Sequence, residues 1–464
     1  MSFTAAEDRV GTEADVEVIR PAGEHRSANR VALTDVRGRP VGEMGLAPSL
    51  LVRRVVAELR RGRPDPLARR AEGIRHAGRL FAEEELAGER PEDYVRSVAR
   101  TSGVPATGVR QGLDHIAAMA RRIEEVVAAQ RPVGTAESWR APETVGGCGV
   151  WYRRGDVLVV QAPGNHPGPH AEWLVALGLG YRVAVRPSQR DPYTPRRLMR
   201  ALRAAGVAPA TYALVPTDYE VADTLVRSGD LAMVYGNEEV VRRHQDDRRV
   251  FPQGPGRSKV VVTSDADWRE HLDLIVESVA GGGGTACINT TVVCAESEPD
   301  ALADALGERL AALPSLPPEH PDAVLPVQSV ERAGAIDGWL AGHRDRVVGG
   351  WSGRGTEDLA DGSAVLRPAV LRLPDTASAA TAPEMPFPLV WVAPWTWDAG
   401  IQPLRDTLTL ALFTENERLV DECVDEPGIR NVHLGRYATN WFEAGMPHDG
   451  YLAEFLMGTK TVAR

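Results

Sequence analysis

Between about residues 48 and 131, apolar residues recur every three or four positions, as in LAPSLLVRRVVAELRRG and TGVRQGLDHIAAMARRIEEVVAAQ. That period gathers them on one helical face, so the stretch is predicted helical, with its Arg–Glu neighbours on solvated faces. Residues 1–50 are polar with short apolar alternations, which predicts a strand or two and a loose end. After Thr135 the pattern changes. GVWYRRGDVLVVQAPG predicts strand, turn and buried strand, ending in a Gly/Pro loop. PHAEWLVALGLGY then predicts a helix, RVAVRPS a strand, and PYTPRRLMRALRAAGV a helix with prolines near its start. The alternation continues through TYALVP, YEVADTLVRSG, LAMVYG, NEEVVRRHQDD and SKVVVTS. Strands alternating with helices over short loops predict a parallel sheet with crossover helices. Ligands in such sheets sit at the carboxyl ends of the strands.

A second cycle starts near Asp267 with DWREHLDLIVESVAGGGG, TTVVCAE and EPDALADALGERLAAL. Residues 266–430 are therefore expected to form another α/β unit. The segment 313–375, rich in Pro, Gly and charge, carries the weakest pattern, and EFLMGTKTVAR closes the chain in a strand-like run. No repeat of solenoid type is present.

The chain has 464 residues, 43% of them hydrophobic and 25% charged, enough for two or three domains with large cores. A net charge of −11 argues against nucleic acid as the main partner, which needs a basic surface. Basic clusters at Arg196, Arg197 and Arg200, or along 242–249, remain candidates for meeting a phosphate or an acidic carrier protein. No apolar run approaches the roughly 18 residues of a membrane span. The stretch MSFTAAEDRV lacks the apolar run of a secretory leader. Four cysteines without CxxC spacing fit a reducing cytoplasm.

Cys287 stands out among these four. It follows a run of four glycines, GGGGTACINTT, at a helix-to-strand junction. A thiolate there can be stabilised by backbone N–H groups, and an acyl group can approach past residues without side chains. Cys148, Cys294 and Cys423 lack such company; Cys294, inside TTVVCAE, is expected to be structural. His166 and His170 are four apart, but Pro167 and Pro169 lie between them, which argues against a shared helix face and a metal.

From residue 145 onward an ordered set of motifs resembles the aldehyde dehydrogenase superfamily. GTAC (284–287) matches its Gly-Gln-X-Cys with Thr285 for Gln. PGNHP (163–167) matches the loop after the first cofactor strand, and RPSQ (186–189) its Lys-Pro-Ser-Glu. VYGNEEV carries the family glycine at Gly236, QGPGRS (253–258) stands for Glu-Leu-Gly-Gly-Lys-Ser, and EMPFP (384–388) resembles Glu-X-Phe-Gly-Pro. ALFTEN and TKTV resemble later landmarks. Gln253 precedes Cys287 by 34 residues, which matches the family spacing from general base to nucleophile.

The resemblance implies an α/β fold of aldehyde dehydrogenase type. Its parts are a Rossmann-type cofactor domain, an α/β catalytic domain and a β oligomerisation arm. The expected divisions are 1–133, the mostly helical part of the cofactor domain, and 134–265, the nicotinamide-binding unit with projecting strands. Residues 266–430 are the catalytic domain with Cys287, and 431–464 return to the cofactor domain and arm. The implied catalytic residues are Cys287 as nucleophile, Asn165 as oxyanion donor and Gln253 in the place of the base. The implied cofactor-binding residues are Arg186, Ser188, Gln189, Gly236, Glu384 and Phe387, with Glu384 one position off the family pattern.

An amide at 253 cannot take a proton from water. The resemblance is therefore closest to acylating members and to the fatty acyl-thioester reductases of bacterial light emission. The expected reaction is NAD(P)H-dependent reduction of an acyl thioester, on coenzyme A or a carrier protein, to an aldehyde. The alternatives are hydrolytic oxidation of an aldehyde to an acid, and a non-catalytic binding protein. Gln189 in place of the family Glu, with Arg186 and Arg190 beside it, points to NADPH over NADH, because it removes a charge that would repel a 2′-phosphate. A homodimer or homotetramer is expected, built by pairing edge strands.

Overall fold

In the computed structural model, which describes residues 15–348 and 355–464, two parallel sheets carry the chain. The N-terminal stretch read for a leader lies outside these residues, as does part of the weakly patterned 313–375 segment. The first sheet has seven strands. Their order is Val250–Gln253, Leu231–Tyr235, Val157–Gln161, Arg182–Arg186, Tyr212–Leu214, Val18–Arg20 and Gly23–His25. The first five run parallel, and the last two join antiparallel. Val157, Leu158, Val159 and Val160 are all buried, as a strand covered on both faces requires. Strand order reverses around Val157–Gln161, whose neighbours are Arg182–Arg186 and Leu231–Tyr235. The loops leaving this reversal are the ones that hold ligands in open α/β sheets.

The second sheet has six parallel strands in the order Ala369–Arg372, Leu389–Pro394, Thr290–Ala295, Ser258–Val262, Thr407–Phe413 and Ile429–Leu434. Two expected boundaries move. Ser258–Val262 was read with the first unit, to 265, but it sits inside the second sheet, so the chain crosses between sheets at residues 254–257. The strand Val250–Gln253 was not expected, because Pro252 breaks its pattern; it lies at the sheet edge, where a missing N–H is tolerated. Ile429–Leu434 likewise belongs to the second sheet rather than to a returning tail.

A three-stranded sheet joins Met457–Val462, Cys148–Arg153 and Thr135–Ala136. Its register runs from Met457 opposite Arg153 to Val462 opposite Cys148. The arm's strand ends at Arg153, and Val157–Gln161 is a central strand of the first sheet. Within the weakly patterned segment, Val330–Ala341 is a helix capped by the Ser329 side chain.

Two arginines of the basic cluster are structural. Arg196 and Arg197 are buried, and both pair with Glu89, at 2.6 and 3.4 Å. Arg197 also donates to the carbonyls of Phe81, Glu84 and Glu89. Neither guanidinium is placed to meet a phosphate or a carrier protein. No helix among the described residues is long and apolar enough to cross a membrane.

Candidate active site

Helix Trp268–Ala280 ends in the glycine run, and the chain must then turn sharply into strand Thr290–Ala295. Gly282, Gly283 and Gly284 take φ of +64°, +90° and +63°, a conformation that costs other residues dearly. The run thus builds a left-handed corner rather than a flexible tether. Asn289 clasps it. Its Nδ2 donates to the carbonyls of Ser278 and Gly281 at 3.2 and 3.0 Å, and its Oδ1 accepts from Ala286 N–H at 2.9 Å. Thr290 Oγ1 meets Thr439 Oγ1 at 2.9 Å. Gly256 backs the turn, where a Cβ would collide with the Cys287 carbonyl, and Ser258 Oγ donates to that carbonyl at 3.0 Å.

The corner presents Cys287 to a cavity of about 480 Å³. Loop 163–169 and helix His170–Gly178 supply Asn165, His166 and Glu172; helix Ala106–Arg121 supplies Gln111 and His115. The segment after Ile429–Leu434 supplies Tyr437, Trp441, Phe442 and His448. Tyr437 and Trp441 pack with centroids 4.4 Å apart, their rings tilted by 39°.

Burial pushes the Cys287 thiol up to about 12; the Glu384 carboxylate adds to this, while the backbone amides of Cys287 and Ile288 oppose it. Burial likewise holds His115 and His166 down at about 4, and lowers His448. His166 Nδ1 accepts from Gly168 N–H at 3.0 Å, so its ring is locked in place. Glu172 is pushed up to about 7 by burial.

The sequence-predicted residues divide. Asn165 lines the cavity, and its Nδ2 donates to the Thr285 carbonyl at 2.7 Å while Thr285 Oγ1 donates to the Asn165 carbonyl at 2.9 Å. Thr285, standing for the family Gln, therefore pins the loop that carries Asn165 and leaves it a second N–H. Gln253 is buried at the end of its strand and is not among the cavity-lining residues; its Nε2 has no partner. Glu384 accepts from Arg257 N–H at 2.8 Å, and burial raises it.

On the nucleotide side, Ser188 is half-buried and Gln189 exposed, just past strand Arg182–Arg186. Gly236 N–H donates to the Gln253 carbonyl at 3.0 Å. Two readings need correction. Phe387 is 1% exposed and packs in the core of the second sheet, so it presents no face to a cofactor. Arg186 is buried, donates to Thr217 Oγ1 and O at 3.0 and 3.1 Å and lies over the Tyr219 ring; Arg190 donates to the Ser102 carbonyl. Both charges are committed inward, away from a 2′-phosphate.

His448 was not foreseen. Its Nε2 lies 3.6 Å from Cys287 Sγ. It stands 161 residues further along, in MPHDG, a stretch with no periodicity and no motif to flag it. His170 is buried with Nδ1 accepting from Trp173 Nε1 at 3.0 Å. Among the described residues no group of three or more His, Cys, Asp or Glu is placed to hold a metal ion.

The model of the Aldehyde dehydrogenase family matches residues 73–453. A putative aldehyde-dehydrogenase-like protein, y4uC, of Sinorhizobium fredii is 22% identical over 326 residues, which cover 65% of this chain and 60% of that protein. Among solved structures, an NAD-dependent aldehyde dehydrogenase from Sinorhizobium meliloti is similar with a TM-score of 0.81, at 16% identity, covering 100% of this chain and 97% of its own. The AldA indole-3-acetaldehyde dehydrogenase of P. syringae, solved with NAD+, has a TM-score of 0.79 at 19% identity, covering 96% and 95%.

Proposed function

The chain belongs to the aldehyde dehydrogenase family, and on that premise we propose that it oxidises an aldehyde to an acid with a nicotinamide cofactor, through a thioester on Cys287. The observation that carries this reading is the cavity itself, with Cys287 and Asn165 on its wall and a histidine nitrogen 3.6 Å from the sulphur.

The residues fit the cofactor's nicotinamide end. The buried Gln253 amide nitrogen lacks a partner, and the buried Glu384 carboxylate lies near enough to raise the Cys287 thiol. When bound, the nicotinamide supplies a hydride acceptor. Ser188 and Gln189 would hold the adenosine end. Gln189 supports NADPH as well as NADH, whereas the committed Arg186 and Arg190 give the phosphorylated form no extra help.

The chain's own groups do the rest. Cys287 Sγ attacks the carbonyl carbon. The free N–H of Asn165 and the Cys287 backbone N–H hold the oxygen as it gains charge. The aromatic wall of Tyr437, Trp441 and Phe442 excludes bulk water from the acyl chain. A homodimer or homotetramer, built through the edge of Met457–Val462, belongs to the same proposal.

A second reading is favoured by Gln253. Its amide activates no water, so the acyl group would pass to a thiol carrier, and in reverse an acyl thioester would be reduced to an aldehyde. Steady-state assays with aldehydes in the presence and absence of coenzyme A separate the two. Acid formed at the same rate without coenzyme A supports oxidation. Turnover that needs coenzyme A, and becomes independent of it in Gln253→Glu, supports the acyl-thioester reading.

A further inference from the structure

We infer that His448 is the base of this site: its Nε2 takes the Cys287 proton as the sulphur attacks, and later takes a proton from the water that releases the acyl group. The inference rests on the reading of Cys287 as the nucleophile.

Three observations carry it. First, among the described residues His448 is the titratable side chain with an atom in contact with the sulphur, Nε2 at 3.6 Å. Second, the place expected to hold a base holds Gln253, which has no basic atom and does not line the cavity. The nearby carboxylate of Glu384 is engaged with the Arg257 N–H. Third, the backbone of His448 is anchored, and its ring packed, from outside the Cys287 turn. Asn431 Nδ2 donates to the His448 carbonyl at 2.6 Å, and the Phe442 ring stands edge-on with centroids 6.1 Å apart. The contact is thus built by the C-terminal segment against the glycine corner.

The charge state sets how the pair works. Burial raises the thiol and lowers the imidazole. Both shifts favour neutral S–H and neutral imidazole over an ion pair. The proton therefore moves as the S–C bond forms, which is general-base catalysis rather than a standing thiolate. Tyr235, His115 from helix Ala106–Arg121, Glu384, and Asp449 beside His448 face the pair, and Glu172 from helix His170–Gly178 and His166 line the same cavity. Glu384 and Asp449 oppose a standing thiolate, while Asp449 supports the imidazolium, so the proton leaves sulphur only as the S–C bond takes up the charge.

The steps balance. In the first, the S–H bond breaks, its proton goes to Nε2, the S–C bond forms, and the carbonyl oxygen takes the negative charge. The C–H bond would then break with its hydrogen leaving as hydride to the nicotinamide, were that cofactor bound; a thioester on Cys287 remains, and the imidazolium gives its proton to solvent. In the second, water's O–H bond breaks towards Nε2, its oxygen bonds to the acyl carbon, and the C–S bond breaks. The imidazolium then returns that proton to sulphur.

The test uses the full chain with neither aldehyde nor nicotinamide, so it stands or falls apart from the oxidation reading. The rate of Cys287 alkylation by iodoacetamide is followed from pH 5 to 10 by intact mass. In the wild type it should rise through the histidine titration, below pH 6.5, and then level off. In His448→Gln the neutral-pH rate should fall by about 10²-fold, and imidazole should restore it in His448→Gly. An acyl group placed on Cys287 by an activated ester should persist longer by a similar factor in His448→Gln. A wild-type profile in His448→Gln, or unchanged acyl lifetimes, overturns the inference. Should the variants fail to fold, the wild-type profile decides: a rise confined to pH above 9 overturns it.

Discussion

Asn289 holds three backbone groups of the Cys287 turn with one side chain. Its neighbours in GGGGTACINTT serve the same end, with glycines for the left-handed corner and Thr285 to pin Asn165. Asn289→Ala leaves buried carbonyls and an N–H without partners, each worth about 1–3 kcal/mol. We expect a clear fall in urea midpoint together with a slower Cys287 alkylation rate. A loss of stability with alkylation unchanged would show that Asn289 supports the fold but not the sulphur's position. At this scale the placing of Cys287 and Asn165 on one cavity was legible, because each sits in a short motif whose chemistry is local. His448 was not, because its partner is 161 residues away and only the fold brings them together. Phe387 and Arg186 were misplaced for a related reason. A motif position says which strand end a residue occupies, not whether its side chain turns to the core or the cleft.

Among the elements, the alternation of strand and helix was legible across the centre of the first sheet, where buried Val and Leu runs mark strands covered on both faces, but not at its edge, where Pro252 interrupts Val250–Gln253. Assignment of Ser258–Val262 to a sheet was not legible, since a run of valines reads the same in either core. The arm is short of partners. Met457–Val462 pairs with Cys148–Arg153 on one side, which leaves its other edge for a second copy. Removal of residues 457–464 should halve the mass measured by light scattering, with alkylation of Cys287 retained. An unchanged mass would place the association surface elsewhere.

Over the whole molecule, buried histidines make stability fall as the pH drops below 6.5. His170 is held down at about 3 by burial. The unfolded chain takes its proton near pH 6.5 and the folded one only near 3, so its contribution is full above 6.5 and is lost between them. The slope from one such group is about 1.4 kcal/mol per pH unit. His115 and His166, both at about 4, act in the same sense; Glu172 at about 7 and Asp191 at about 6 act in the opposite sense. Stability measured by urea unfolding from pH 7 to 4 should therefore fall less steeply in His170→Gln than in the wild type, by up to that slope. Parallel curves would mean that His170 is not protonated on unfolding in this range.

The central claim is that Cys287 carries the acyl group of an aldehyde on its way to an acid. Intact-protein mass spectrometry tests it most directly. The chain is mixed with a panel of aldehydes and NAD+ or NADP+, quenched at millisecond to second times, and the free acid is measured in parallel. The account predicts an acyl adduct on the wild type that decays as acid appears, and no adduct or acid in Cys287→Ala. Acid formation without Cys287, or no adduct from any aldehyde alongside ready acylation by thioesters that NADH or NADPH discharges as aldehyde, would contradict it.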